Sequence, residues 1–138
     1  MFSGNPDAML KTWVPETCIM IIDDDLDVID TLTSLLEPHY RLISCHNFKE
    51  AKKKLSPAIK LVLLDIKMAS KDGIEVFQLL KKERPDLPIV FHSAYPGSSE
   101  KAATVGQLPH YGYLTKGEYE LPELLTTIEQ AMNQQPAS

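Results

Sequence analysis

Apolar residues fall along this chain in two alternating rhythms: short continuous runs, and longer stretches with helical spacing. The runs are Cys18-Ile19-Met20-Ile21-Ile22, residues 41–45 around Leu42-Ile43, Leu61-Val62-Leu63-Leu64, residues 88–93 around Ile89-Val90-Phe91, and a shorter one over 110–114. Continuous apolar runs of this length suit strands buried on both faces, as in a parallel sheet covered by helices. Between the first two, Leu26, Ile29, Leu32, Leu35 and Leu36 recur at helical spacing until Pro38, which cannot continue a helix. Asn47 is placed to cap a short basic helix over 48–55. Residues 73–83 put Ile74, Phe77 and Leu80 on one face, and residues 98–106 predict a polar helix. Leu121, Leu124, Leu125, Ile128 and Met132 mark the last and cleanest one. Five strands alternating with five helices predict an α/β domain, a parallel sheet with helices on both faces. The domain is expected over 17–133, after an extension (residues 1–16) with Trp13 as its one anchor, and before a tail at 134–138.

A chain of 138 residues fits one such domain, and 43% apolar with 24% charged residues is an ordinary globular composition. The net charge of −5 argues against direct nucleic-acid binding. No stretch is long and apolar enough to cross a membrane, and the first residues lack a signal-peptide pattern, so a cytoplasmic location is expected. Cys18 and Cys45 open one predicted strand and close the next. On parallel neighbours they would lie at opposite ends, so reduced thiols are expected rather than a disulfide. His39, His46, His92 and His110 show no metal-ligand spacing and read as structural or surface residues.

The chemistry gathers where strands end. Asp23 and Asp24 follow the first strand, Asp65 follows the third, Ser93 closes the fourth and Lys116 follows the fifth. Open parallel sheets bind ligands beyond the carboxyl ends of their strands, where strand order reverses. Three crowded carboxylates repel one another, a strain that a hard, oxygen-seeking cation such as Mg²⁺ relieves. The Ser93 hydroxyl and the Lys116 charge suit a phosphoryl group, so the set points to phosphoryl transfer onto an aspartate. Asp25 reads mainly as a helix cap. A calcium loop counted from Asp23 fails, because Val28 stands where glycine is needed and Ser34 where glutamate is needed.

Taken together, Ile21-Ile22-Asp23-Asp24-Asp25, Leu63-Leu64-Asp65, Met68 through Asp72-Gly73, residues 89–94 and Tyr113-Leu114-Thr115-Lys116 resemble a bacterial response-regulator receiver domain. The resemblance runs from about residue 18 to 132. It implies a flavodoxin-like, doubly wound sheet of order 2-1-3-4-5 and a signalling domain rather than an enzyme. Asp65 would accept a phosphoryl group from a histidine kinase or phosphotransfer protein of a two-component system. Asp23, Asp24, Asp65 and the backbone carbonyl of Lys67 would hold Mg²⁺. Ser93 would bond a phosphoryl oxygen, Tyr113 would sense its movement, and Lys116 would pair with phosphate and carboxylate. Output would pass to a downstream protein partner, or through self-association, by way of residues 98–130. Lys67 and Tyr95 flank the opening and are expected to control the access of water.

This chain departs from the family pattern at Ala69 and Gly117, where proline is usual, and at Leu108-Pro109-His110, where Gly-Ala is usual. Those changes leave open a second reading, a phosphorylation-independent interaction module. An aspartate-nucleophile phosphatase fits less well, since it needs a further acidic metal site and no Asp occurs beyond Asp86.

Overall fold

The computed structural model describes residues 16–67, 72–95, 99–105, 108 and 110–133. Strands β1 (Cys18–Ile22), β2 (Arg41–Cys45), β3 (Ile59–Leu64), β4 (Ile89–Ser93) and β5 (Gly112–Thr115) form one five-stranded sheet. Helices α1 (Leu26–Leu36), α2 (Phe48–Lys54), α3 (Gly73–Glu83), α4 (Glu100–Val105) and α5 (Leu121–Asn133) alternate with them. Every pairing is parallel and the order is β2-β1-β3-β4-β5, so chain order reverses at β1, between β2 and β3.

Side chains alternate across a strand, and that sorts the core into two layers. Met20, Ile22, Val62, Leu64, Ile89 and Phe91 point to the layer that receives Ala51 of α2 and Val76, Phe77 and Leu80 of α3. Ile19, Ile21, Leu61, Leu63, Val90 and Leu114 point the other way, onto Ile29, Leu32 and Leu36 of α1 and Leu124, Ile128 and Ala131 of α5. Strands covered on both sides need apolar residues at nearly every position, which is why the runs in the sequence are continuous.

Short polar side chains set the helix starts. Asp25 Oδ1 accepts the Asp27 amide at 2.9 Å, Asn47 Oδ1 accepts that of Glu50 at 2.9 Å, and Asp72 Oδ1 accepts that of Ile74 at 2.7 Å. Cys18 pairs with Arg41 in register and Cys45 with Ile22, so both buried thiols are free and stand at opposite ends of adjacent strands.

Several boundaries differ from the pattern-based expectation. The last strand begins at Gly112 rather than at residue 110, because the Gly112 amide turns back onto Nδ1 of His110 at 3.1 Å and holds that residue in a bend. The fourth starts at Ile89, although the Pro88 carbonyl still accepts the Val62 amide at 3.0 Å. α2 stops at Lys54 because Leu55 is already extended. α4 starts at Glu100, after Ser99, whose hydroxyl accepts the Ala102 amide at 3.1 Å; residues 98 and 106 of the expected helix lie outside the described residues. Leu26, which shares the helical spacing of the first helix's apolar residues, is 61% exposed, so the first residue of that helix lies outside the core. Trp13, Ala69 and Pro109 lie outside the described residues.

Candidate functional site

The register of β1 against β3 places the first two acids. Ile22 pairs with Leu64, and the Asp65 amide donates to the Ile22 carbonyl at 3.0 Å, so Asp23 and Asp65 leave the sheet side by side. On the other flank the Asp23 amide donates to the Cys45 carbonyl at 3.0 Å. Both side chains are buried, at 1% and 3% exposure, while Asp24 is exposed. One carboxylate oxygen from each of Asp23, Asp24 and Asp65 lies within 4.8 Å of the others. Lys116 closes the cluster from the edge strand, its Nζ standing 2.9 Å from Asp23 Oδ2 and 3.3 Å from Asp65 Oδ1.

Gly73 brings the Asp65 loop close to α3. Its amide donates to the Ile66 carbonyl at 2.7 Å, and a Cβ there would stand 2.4 Å from the Asp65 carbonyl oxygen. No side chain fits in that contact, so glycine is required by close approach of two backbones.

Burial pushes the Asp65 carboxyl up to about 6; neighbouring Asp23 adds to the rise, and Lys116 and the Lys67 amide oppose it. That amide reaches Asp65 Oδ1 at 3.4 Å. Burial alone would lower the Lys116 ammonium, yet the two carboxylates hold its pKa above the ordinary lysine value. Asp23 Oδ1 accepts the Asp25 amide at 2.9 Å. Its Oδ2 is buried and accepts no well-directed hydrogen bond, although the ammonium is its ion-pair neighbour. A buried carboxylate oxygen with spare acceptor capacity, beside two more carboxylates, is a donor set that suits a hard divalent cation.

Ser93 is fully buried at the end of β4. Its Oγ accepts the Tyr95 amide at 3.1 Å and its carbonyl accepts the Lys116 amide at 2.7 Å. Tyr113 donates its hydroxyl to the Tyr95 carbonyl at 2.7 Å. Burial raises the Tyr113 phenol above its ordinary value, and Tyr95, which donates its amide to Ser93 and accepts the Tyr113 hydroxyl, links the three residues into one group. Asp23, Asp24, Asp65 and Lys116 are thus brought together, with Ser93 tied to Lys116 through backbone. Lys67 is exposed and meets Asp65 through its amide. Three features were invisible to pattern reading: the close contact at Gly73, the carbonyl of Tyr95, and His92, whose Nε2 lies 2.8 Å from the Tyr119 hydroxyl and which borders the same cleft as Lys116.

Residues 19–129 match the family described as Response regulator receiver domain. The chain is 31% identical over 116 residues to the transcriptional regulatory protein ZraR of Klebsiella oxytoca, a span that covers 83% of this chain and 26% of that protein. It is 31% identical over 77 residues to the transcriptional regulatory protein CssR of Bacillus subtilis, covering 55% and 34%. The matched part is therefore between about a quarter and a third of those relatives' length. Among solved structures, the response regulator TrrA from Thermotoga maritima, in complex with Mg(2+)-BeF, is 27% identical with a TM-score of 0.69, covering 83% of this chain and 98% of that one. The non-phosphorylated HemR receiver domain from Leptospira biflexa is 25% identical with a TM-score of 0.73, covering 88% and 96%.

Proposed function

Because the chain belongs to the response-regulator receiver family, we propose that Asp65 takes a phosphoryl group from the phosphohistidine of a kinase or phosphotransfer protein, in a reaction that requires Mg²⁺. The observation that carries this reading is the convergence on Asp65: two carboxylates within 4.8 Å and an ammonium at 3.3 Å, all at the carboxyl end of the sheet.

One Asp65 oxygen attacks phosphorus as the phosphorus–nitrogen bond of the donor breaks, and the bonding pair leaves with the imidazole. Asp65 must be ionised to attack, so its raised pKa means that part of the population is protonated in mildly acidic solution. Asp23, Asp24 and Asp65, with the Lys67 carbonyl, would hold Mg²⁺. When bound, the ion supplies positive charge opposite the phosphoryl oxygens. Lys116 presents its charge to the same oxygens from the β5 side and stays paired with Asp23 and Asp65 meanwhile. Ser93 accepts the Tyr95 amide, which leaves its own proton to be drawn toward a phosphoryl oxygen. That pull is felt at Tyr95, whose carbonyl holds Tyr113, and it offers a route from the acceptor to the surface formed by residues 98–130. Output then passes to a downstream partner or to a second copy of the chain through that surface.

The TrrA structure with Mg(2+)-BeF supports the reading by likeness. Borohydride reduction after incubation with acetyl phosphate tests it directly, since reduction converts an aspartyl phosphate into homoserine. Peptide mapping is expected to find homoserine at position 65, and homoserine at another aspartate would overturn the assignment.

A further inference from the structure

Lys116 is followed by Gly117 at φ 77°, and a Cβ built there would have no atom within 4 Å. Backbone freedom is therefore greatest just where the lysine leaves the sheet. A cleft of about 220 Å³, bordered by Val28 and Thr31 of α1 and by His92, Lys116 and Tyr119, lies along this loop, so its α1 side is not packed. The Lys116 ammonium nevertheless stands between Asp23 and Asp65. Something other than the glycine must hold it there.

The loop is tied down on both sides of the glycine, and both ties end on neighbouring residues of β4. Before it, the Lys116 amide donates to the Ser93 carbonyl at 2.7 Å. After it, the Tyr119 hydroxyl lies 2.8 Å from Nε2 of His92, and the two rings meet edge to face with centroids 5.6 Å apart. The hydrogen bond from the Glu118 amide to the Thr115 carbonyl, at 3.1 Å, is local and anchors the turn to no other strand. His92 is 3% exposed and its Nδ1 has no hydrogen-bond partner, an uncommon cost for a side chain facing a strand's apolar layer. Burial, with the Lys116 charge nearby, keeps the ring neutral, so its bond to Tyr119 is one between uncharged partners.

We propose that His92 and Tyr119 are a positioning pair, a clamp that fixes the loop after Lys116 and so keeps its ammonium on the two carboxylates. The clamp does for this chain what a rigid residue after the lysine would otherwise do. Its consequence for phosphorylation rests on the phosphoacceptor reading above; its effect on the loop does not.

Tyr119→Phe tests the clamp, because it keeps the ring against His92 and removes only the hydroxyl. Hydrogen exchange at the Lys116 amide is expected to quicken by about tenfold, as for loss of one neutral hydrogen bond. The maximal rate of phosphorylation by acetyl phosphate is expected to fall about three- to tenfold, as for a slightly misplaced catalytic group, with Mg²⁺ affinity kept within about twofold. The single change leaves a buried Nε2 without a partner, so the double variant His92→Phe/Tyr119→Phe, which removes both polar ends, separates position from stability. It is expected to recover its melting temperature while exchange stays fast and phosphorylation slow. Unchanged exchange at Lys116 in Tyr119→Phe, or exchange and rate both restored in the double variant, would overturn the clamp. A wild-type protein that exchanges as expected but takes up no phosphoryl group would count against the phosphoacceptor reading alone.

Discussion

The Lys116 ammonium stands 3.3 Å from Oδ1 of Asp65, although the two residues leave strands that are not neighbours. β4 lies between β3 and β5, so the lysine reaches across its end, and on to Asp23 beyond β1, at 2.9 Å. Parallel strands ending at one level make this possible, because all their carboxyl ends open onto the same crevice. Two buried carboxylates with oxygens within 4.8 Å of each other would be costly without that ammonium.

Replacing Lys116 with Met keeps the stem and removes the charge. At neutral pH the variant is expected to lose about 1–3 kcal/mol of stability, the usual cost of leaving buried polar groups unpaired. At pH 5 the loss should shrink, because Asp65 can then take up a proton. Urea denaturation at both pH values checks this, and an equal loss at both would contradict the pairing.

Asp65→Asn should stabilise the metal-free protein. The folded carboxyl titrates at about 6, above its unfolded value, so the folded state binds the extra proton between roughly pH 4 and 6. Stability from this group therefore falls as pH rises through that window, by roughly 2–3 kcal/mol as an upper bound. His92 acts in the opposite sense. Its folded pKa of about 4 lies below the unfolded value, so its contribution is present above about pH 6.5 and is lost as pH falls toward 4. Melting curves of the wild type and Asp65→Asn across pH 4–8, without metal, are expected to diverge toward neutral pH, with the asparagine variant the more stable. Added Mg²⁺ should raise the wild-type midpoint and leave the variant's nearly unchanged.

Gly73→Ala puts a methyl group 2.4 Å from the Asp65 carbonyl oxygen and 2.5 Å from Ile66 Cα. Backbone must move, and overpacking of this kind costs about 1–3 kcal/mol. Because the displaced segment carries Asp65, Mg²⁺ affinity measured by titration should weaken along with the melting temperature. A variant that melts lower but binds Mg²⁺ as the wild type does would show that the contact supports α3 alone.

Lys67, exposed, meets Asp65 through its amide, and Tyr95, half-buried, meets Ser93 through its own. Substituting both by alanine is expected to change the lifetime of the phosphorylated form by several-fold without removing phosphorylation. The decay of the phosphorylated mass with time measures it, and an unchanged lifetime would rule out a part for them in water access.

The sheet and the acids were legible because their signals are local. A continuous apolar run ending in Asp23 or Asp65 has few other physical meanings, and α5 carries an unbroken stripe. β5 was less so: it is an edge strand of four residues, and the His110 ring fixes its start by a contact that no periodicity reports. Leu26 shows the limit of spacing, since an apolar residue in the right phase still lies outside the core when it begins the helix. His92 could not be assigned, because a histidine in an apolar strand looks the same whether or not a tyrosine 27 residues away meets its ring. Gly73 was legible as the start of a helix, but the contact that forbids a side chain there comes from the backbone of Asp65 and Ile66.

Intact-mass spectrometry after incubation with acetyl phosphate, with and without Mg²⁺, beside the Asp65→Asn variant, tests the central claim most directly. The account predicts a single added phosphoryl mass that needs both the metal and Asp65. An adduct of equal yield on the asparagine variant, or one indifferent to Mg²⁺, would contradict it.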